Sequence, residues 1–395
     1  MSAIRQSGPF QAAGDLRKRV DDDKRLQWII GGIVLLALIL LPLGYQPASG
    51  FIDDAVTALA YVVMALGLNI VVGFAGLLDL GYVAFYAIGA YSAGWFASSF
   101  FANVNDGKGF SILGLDASNL PGIHLNWLLV AVMAVILTAL AGMIIGIPTL
   151  RLRGDYIAIV TLAFGEIIRV VAINGPDIKF GDQGLTAGLQ GITPIDSIQF
   201  PGDVPFDPLN LRPWYWTALG LVLIVLFVNF RLRDSRLGRA WIAIREDEIA
   251  AASMGVPLVR TKLLAYASGA AFGGISGAFL ASYQNTVNAD QFEFAFSIFV
   301  LAMIILGGLG SIWGVVIGAL ALSFINSRLI PDVLNGLPHT FGLDFDLTEL
   351  SFGIFGFLLV IMMVLKPAGL LPERRRQLEL EEGVGTDEAL YEARA

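Results

Sequence analysis

Long apolar runs separated by short polar segments dominate the chain between residues 28 and 365. A bilayer core of about 30 Å needs about 20 apolar residues in a helix, and most of these runs are of that order. They lack the apolar–polar alternation of a barrel strand, and an open sheet in lipid leaves backbone groups unpaired. The pattern therefore predicts an all-α integral membrane protein.

The runs predict ten transmembrane helices. The tract at 294–326 is too long for one untilted span, and its glycines at 307, 308 and 310 indicate two short spans joined by a tight turn. We expect a transmembrane domain over residues 28–372, between polar tails at 1–27 and 373–395. The predicted spans are 28–45, 55–73, 80–101, 127–150, 156–173, 214–230, 263–283, the two halves of 294–326, and 352–365.

The basic residues indicate how these spans are oriented. If the N-terminus is cytoplasmic, the inside segments hold 20 of the 25 Lys and Arg residues and the outside loops hold four. The positive-inside rule then favours an N-in, C-in arrangement. This places the 174–213 loop outside and the 231–262 loop, with seven basic residues, in the cytoplasm.

Composition excludes several classes of function. Charged residues make up 15% of the chain and the mean hydropathy is +0.72, whereas a soluble domain has about 25% charged residues. There is no cysteine and there are only two histidines, His124 and His339, which argues against a bound metal. Neither a phosphate-binding G-x-x-x-x-G-K-[ST] loop nor an H-E-x-x-H motif occurs. We expect no catalytic site, cofactor or nucleic-acid partner for this chain.

Ionisable and glycine-rich positions within the spans are candidates for the translocation path. Glu166 and Arg169 lie three residues apart on one helix face, so they either form an ion pair or line the path. Three glycines and Asp79 within 73–81 predict a broken or re-entrant helix whose backbone can bind a solute. Asp79 either caps a helix start or faces the solute. The path candidates are Asn69, Gly76, Asp79, Tyr82, Glu166 and Arg169.

Two glycine stripes recur with a spacing of four residues, a pattern that allows helix backbones to approach closely. We expect tight helix packing at both, within or between subunits. The stripes are Gly269, Gly273 and Gly277, and Gly310, Gly314 and Gly318.

The cytoplasmic loop contains a segment, 245–254, that is rich in alanine and acidic near its start, and this predicts a helix of about three turns. Gly255 supplies a left-handed stop and Pro257 prevents continuation. The acidic residues would be repelled by anionic lipid headgroups. Docking to a soluble protein is therefore favoured over lying on the membrane surface.

Several blocks of sequence carry a resemblance to a known family. Glu248-x-Ala250-Ala251-x-x-x-Gly255 resembles the loop by which permease subunits of bacterial ATP-binding-cassette (ABC) importers engage their ATPases. Over most of residues 50–370 the chain resembles the LivM-type permeases of branched-chain amino-acid importers. The matching blocks are 69–82, 150–162, 165–169, 245–251 and 307–314.

The resemblance implies a permease subunit of the bacterial inner membrane that translocates branched-chain amino acids. It also implies a LivH-type sister permease, two cytoplasmic ATPase subunits that hydrolyse the ATP, and a periplasmic solute-binding protein. The 174–213 loop departs from the family in being longer and more acidic. The residues implied in ATPase coupling are Arg245, Glu246, Asp247, Glu248, Ala250, Ala251 and Gly255.

Three alternatives remain open at this point. A permease for urea or a short-chain amide shares much of the same pattern. An autonomous secondary transporter or channel would work without ATPases and would not need the 245–254 helix. An intramembrane enzyme would show turnover by the isolated chain.

Overall fold

The computed structural model describes residues 24–102, 109–112, 121–150, 152, 154–181, 183–199, 206–334, 350–366 and 369–371. His339, most of the N-terminal tail and the whole tail at 373–395 lie outside these residues. The described chain forms twelve α-helices. They are α1 (Lys24–Leu40), α2 (Gly50–Leu68), α3 (Val83–Phe96), α4 (Trp127–Thr149), α5 (Asp155–Asn174), α6 (Arg212–Asp234), α7 (Arg236–Glu246), α8 (Glu248–Ser253), α9 (Leu258–Gln284), α10 (Phe294–Gly307), α11 (Ile312–Phe324) and α12 (Ser351–Leu365).

Short strands occur in the connections, where the sequence predicted an all-α chain. One small sheet forms in the connection between α3 and α4, and another in the connection between α5 and α6. Each satisfies backbone hydrogen bonds that no helix provides. The first sheet has the order β1-β3-β2, with β1 antiparallel and β2 parallel to β3; the second pairs β4 and β5 antiparallel. The strands are β1 (Ala97–Ser98), β2 (Phe110–Ile112), β3 (Ile123–Leu125), β4 (Lys179–Phe180) and β5 (Gln183–Gly184).

Within the described residues, six helices are long and apolar enough to cross a membrane, and they correspond to six of the predicted spans. Three shorter apolar helices, at Gly31–Gly44, Phe294–Gly307 and Gly353–Leu365, correspond to three more. The protein is therefore a multi-pass membrane protein, while the count of ten spans and the N-in, C-in orientation stay predictions.

The bounds of several predicted spans differ from those of the helices, and two of these differences are informative. The span at 80–101 is the shorter helix α3, because Ala97 and Ser98 leave the helix and pair with β3. The span at 55–73 begins earlier, at Gly50, and so includes Asp53 and Asp54. Both carboxylates are satisfied there, since the Tyr283 hydroxyl donates to Asp53 and Arg328 pairs with Asp54.

The apolar tract at 294–326 forms two helices, α10 and α11, as predicted. They approach so closely that a Cβ on Gly318 would lie 2.2 Å from the Met303 carbonyl oxygen, and one on Gly314 would lie 2.5 Å from the Gly307 carbonyl oxygen. Gly310 lies in the turn between them with φ +84°, so it does not belong to the helical stripe. The stripe therefore consists of Gly314 and Gly318 alone.

Helix α9 packs against α2, α3 and α4 through its glycines. A Cβ on Gly277 would lie 2.2 Å from the Tyr86 carbonyl oxygen, and one on Gly269 would lie 2.5 Å from Val71 Cγ2. Gly273 is packed less tightly, because its Cβ would be 3.1 Å from the Tyr82 hydroxyl. Close packing is one of the forces that hold helices together in lipid, so this stripe stabilises the centre of the bundle.

Candidate functional site

Helix α2 is interrupted close to the position where the sequence predicts a broken helix. The helix widens into a π-helical turn over Asn69–Phe74, in which the Ala75 N–H donates to the Ile70 carbonyl, five residues back, at 3.1 Å. The chain then stays non-helical over residues 75–82, which we call the break. Wide turns of this kind often occur at functional sites.

Asn69 ties the start of the wide turn to a distant part of the chain. It is fully buried, and its Oδ1 accepts a hydrogen bond from the Gly310 N–H at 3.0 Å. A Cβ on Gly73 would lie 2.0 Å from the same Oδ1, so only glycine fits beside it. The Asn69 amide nitrogen is buried without a hydrogen-bond partner. The wide turn is thus fixed to the α10–α11 turn.

Asp79 fastens the other end of the break. It is 2% exposed, and its Oδ1 accepts from the Gly81 N–H at 2.9 Å, while its Oδ2 has no hydrogen-bond partner. The cap of α3 is Tyr82, so Asp79 closes the turn before the helix and does not cap it. The Leu80 N–H donates to the Thr161 hydroxyl at 3.0 Å. These bonds hold the break against α5.

The structure brings four of the six path candidates together at the wide turn and the break. Tyr82 is fully buried and donates to the Gly269 carbonyl oxygen at 2.8 Å, so it joins the break to α9. Gly76 is exposed and adopts φ +71°. Asn69, Asp79 and Tyr82 are buried within this subunit. Their role in the translocation path stays a prediction.

The remaining two candidates, Glu166 and Arg169, lie further along α5 and do not pair with each other. Arg169 Nη2 instead lies 3.6 Å from Glu293 Oε1. This is possible because α5 contacts both α10 and the turn before it, which places an acidic side chain beside the arginine. Of the two alternatives for Glu166 and Arg169, the i, i+3 ion pair is therefore wrong, and a role in lining the path stays a prediction. Among the described residues, no group of three or more His, Asp or Glu side chains is placed to hold a metal ion.

The predicted three-turn helix at 245–254 is wrong, because two helices meet there. Helix α7 ends at Glu246, and α8 begins at Glu248. Between them Asp247 is extended, with φ −152°, and its Oδ1 accepts from the N–H groups of Ile249 and Ala250 at 2.8 and 2.9 Å. An aspartate in this position caps a new helix at the expense of the preceding one.

The predicted stop after this segment is confirmed. Gly255 has φ +87°, and its N–H donates to the Ala252 carbonyl at 3.0 Å. The Val256 N–H donates to the Ala251 carbonyl at 3.1 Å, which completes the paired bonds of a left-handed helix end. Pro257 follows and precedes α9. Helix α8 therefore carries its own caps at both ends.

Two residues that the sequence did not single out hold α7 and α8 to α9. Lys262, with a side chain only 5% exposed, pairs with Glu248 at 2.8 Å. Trp241 is fully buried and donates through its ring N–H to the Thr261 carbonyl at 2.8 Å. A lysine directly before an apolar run, in a loop with clustered acids, was the available signal for Lys262.

The outer side of α8 faces solvent. Ile249 and Met254 are 72% and 86% exposed, and Ala250 and Gly255 are also exposed, while Ala251 is buried. Two acidic residues, Glu246 and Asp247, are exposed beside them. A small apolar surface with an acidic rim is suited to docking a soluble protein.

Arg245 differs from the other predicted coupling residues because it turns inward. Its Nη1 donates to the Gly73 carbonyl oxygen at 2.6 Å. A Cβ on Gly76 would lie 2.7 Å from Arg245 Cγ. The arginine thus joins helices α7 and α8 to the wide turn and the start of the break.

The chain is similar to several known proteins. Two proteins named as high-affinity branched-chain amino acid transport system permease protein LivM match closely. The protein from Salmonella typhimurium is 38% identical over 89% of this chain and 77% of its own length; that from Escherichia coli is 37% identical over 90% and 78%. The permease named LivH from Salmonella typhimurium is 23% identical over 79% of this chain and 91% of its own length. No solved structure gives a significant match.

The sequence profile of one family covers most of the chain. It is described as the permease component of the branched-chain amino acid transport system, and it matches residues 51–363. That range includes the break, α7, α8 and the α10–α11 turn. The chain belongs to the family of permease components of branched-chain amino acid transport systems.

Proposed function

We propose that this chain is the membrane-spanning permease subunit of an ATP-driven importer that carries branched-chain amino acids across the bacterial inner membrane. The observation that carries the proposal is the 38% identity to a LivM permease along 89% of the chain. The chain itself binds no cofactor, and separate subunits hydrolyse the ATP.

Helix α8 is the docking element for a cytoplasmic ATPase subunit in this proposal. Its exposed Ile249 and Met254 provide the apolar contact. The pair between Glu248 and Lys262 passes the force of ATPase closure to α9. Because α9 packs tightly on α2, α3 and α4, this force reaches the centre of the bundle.

The complete importer contains further partners. A LivH-type sister permease is supported by the similarity to LivH proteins, which places both kinds of permease in one group of relatives. Two ATPase subunits on the cytoplasmic side and a periplasmic solute-binding protein on the other complete the assembly. With an N-in, C-in arrangement, the 174–213 loop faces the binding protein.

Purification and transport test this proposal together. The complex is purified from its native host through a tag on this chain and reconstituted into vesicles with ATP inside. We expect an ATPase subunit to be recovered and labelled leucine, isoleucine and valine to enter only when ATP and the binding protein are present. Uptake without ATP and without an ATPase partner would indicate a secondary transporter or channel, and uptake of urea or acetamide in place of leucine would indicate an amide importer.

The docking surface has a matched control. The double variant Ile249→Ser/Met254→Ser should lower the recovery of the ATPase by about tenfold, because a well-packed apolar contact contributes on the order of 1–2 kcal/mol. Leu209→Ser removes an equally exposed apolar side chain, 74% exposed, from the 174–213 loop and should leave recovery unchanged. Equal recovery for both variants would place the ATPase contact elsewhere.

A further inference from the structure

Arg245 donates to a backbone carbonyl that the wide turn leaves without its helical donor. In a continuing α-helix the Leu77 N–H would donate to the Gly73 carbonyl, four residues back. Here the Leu77 N–H donates to the Val71 carbonyl at 3.0 Å. The Gly73 carbonyl instead accepts the bond from Arg245 Nη1 at 2.6 Å. The guanidinium therefore replaces the helical donor that the wide turn removes.

The arginine side chain also lies against the backbone of the break. Gly76 has φ +71°, in the left-handed region that favours glycine. A Cβ at this position would lie 2.7 Å from Arg245 Cγ and 3.1 Å from Arg245 Cβ. The stem and the charged head of one side chain thus touch two points of the chain, at Gly73 and Gly76, on either side of where the helix ends.

This contact reaches other elements through bonds already described. The wide turn that carries Gly73 is joined to the α10–α11 turn by Asn69 and Gly310. The far end of the break is joined to α5 through Leu80 and Thr161. A shift of the end of α7 would therefore act on the wide turn and the break. The wide turn is bonded to the α10–α11 turn, and the break is bonded to α5.

Resting on the proposed function, we propose that Arg245, at the end of α7, is a positioning residue that couples movement of the ATPase-docking helix α8 to the conformation of residues 73–76. The sequence placed Arg245 with the residues that contact the ATPase. Its hydrogen bond to Gly73 instead places it between the docking surface and the wide turn. Nucleotide-driven movement of α7 would pull on the Gly73 carbonyl and change the shape of the break.

A site-specific label tests the coupling directly. The chain has no cysteine, so Leu78→Cys introduces a single thiol at a position of the break that is 36% exposed. In the purified importer complex, we expect the rate of maleimide labelling to differ about fivefold between the nucleotide-free and ATP-bound states, the lower end of typical coupling between sites. This background must retain ATP-dependent leucine uptake.

Three substitutions are compared in this background. Arg245→Gln should bring the labelling ratio to about one and reduce uptake about tenfold, because it removes a charge-assisted hydrogen bond. Arg245→Lys keeps a positive charge and a donor, so it should restore part of the ratio. Arg236→Gln removes the same charge from an exposed position at the start of α7 and should behave as the unsubstituted background does. Recovery of the ATPase should be the same for all three.

The outcomes separate this inference from the proposed function. If Arg245→Gln retains the ratio and the uptake while the parent complex is ATP-dependent, the inference is wrong and the proposed function stands. If Arg245→Gln loses the ATPase itself, the arginine belongs to the docking surface and the inference is again wrong. If Arg245→Gln yields no folded complex, Arg245→Lys takes its place. A labelling ratio lower than that of Arg236→Gln supports the inference, and an equal ratio contradicts it. If the parent complex contains no ATPase, the proposed function fails first.

Discussion

The break and α8 are both short interruptions between longer helices, but they are held in different ways. The break is fixed by neighbours: Gly81 lies so close to α5 that a Cβ would be 1.9 Å from the Thr161 carbonyl oxygen. Helix α8 carries its own caps and is joined to α9 by the Glu248–Lys262 pair. A segment fixed by its neighbours moves only when they move, whereas a self-capped helix keeps its shape while its position changes.

The largest expected effect is at the break. Gly81→Ala should destabilise the protein by about 1–3 kcal/mol or more, because the new methyl group meets backbone atoms that cannot move aside. A thermal melt in detergent measures the loss. The matched control is Gly356→Ala on α12, where a Cβ has nothing within 4 Å. A melting temperature equal to that of the control would show that α5 and the break are not locked together.

A smaller effect is expected at α8. Lys262→Met leaves Glu248 without its partner, but the Glu248 side chain is 38% exposed and regains water, so the cost should be about 1 kcal/mol. Hydrogen exchange should increase in residues 248–253 and leave the wide turn unchanged. Adding Glu248→Gln should cost less than the two single changes predict. Additive effects would mean that the pair does not hold α8 in place.

The smallest effect is expected at a histidine–aspartate pair on the opposite side of the bundle, away from the break and α8. His124 on β3 lies 2.7 Å from Asp196, and the Asp196 N–H donates to the Ala97 carbonyl. Burial raises the pKa of the Asp196 carboxyl above its ordinary value, and the hydrogen bond with His124 opposes this shift. The native state therefore keeps this proton at a higher pH than the unfolded chain does.

Stability from this group is present below the ordinary pKa of the carboxyl, about 3.9, and is lost as the pH rises through the raised value. Asp196→Asn cannot ionise, so its melting temperature should lack this fall in a titration that starts below pH ~4 and ends near neutrality. Asp290→Asn, an exposed aspartate before α10, is the control. An unchanged pH profile in Asp196→Asn would show that the pair does not contribute.

Local signals predicted the parts of the molecule that local interactions form. Apolar runs located the long helices, and Gly255 with Pro257 located the end of α8. The sequence did not predict that Asp247 starts a new helix there, because alanines on both sides favour one continuous helix and only the cap decides between them.

Contacts between distant segments were beyond this reasoning. The pairing of Arg169 with Glu293 depends on how α5 meets α10. The spacing of residues along α5 makes Glu166 an equally good partner for Arg169. The contact of Arg245 with Gly73 joins residues 172 positions apart and follows from the packing of α7 on the wide turn. Gly73 and Gly76 were visible in the sequence, but the side chain of Arg245 that lies beside them was not.

The glycine stripe of α9 also determines where shape changes can occur. Adjacent backbones at Gly89, Gly274 and Gly277 leave no room for a methyl group, so neither helix can slide past the other by one residue without a collision. We therefore expect helices α2, α3, α4 and α9 to move together as one unit. Relative motion during a transport cycle is then expected in the helices around that unit.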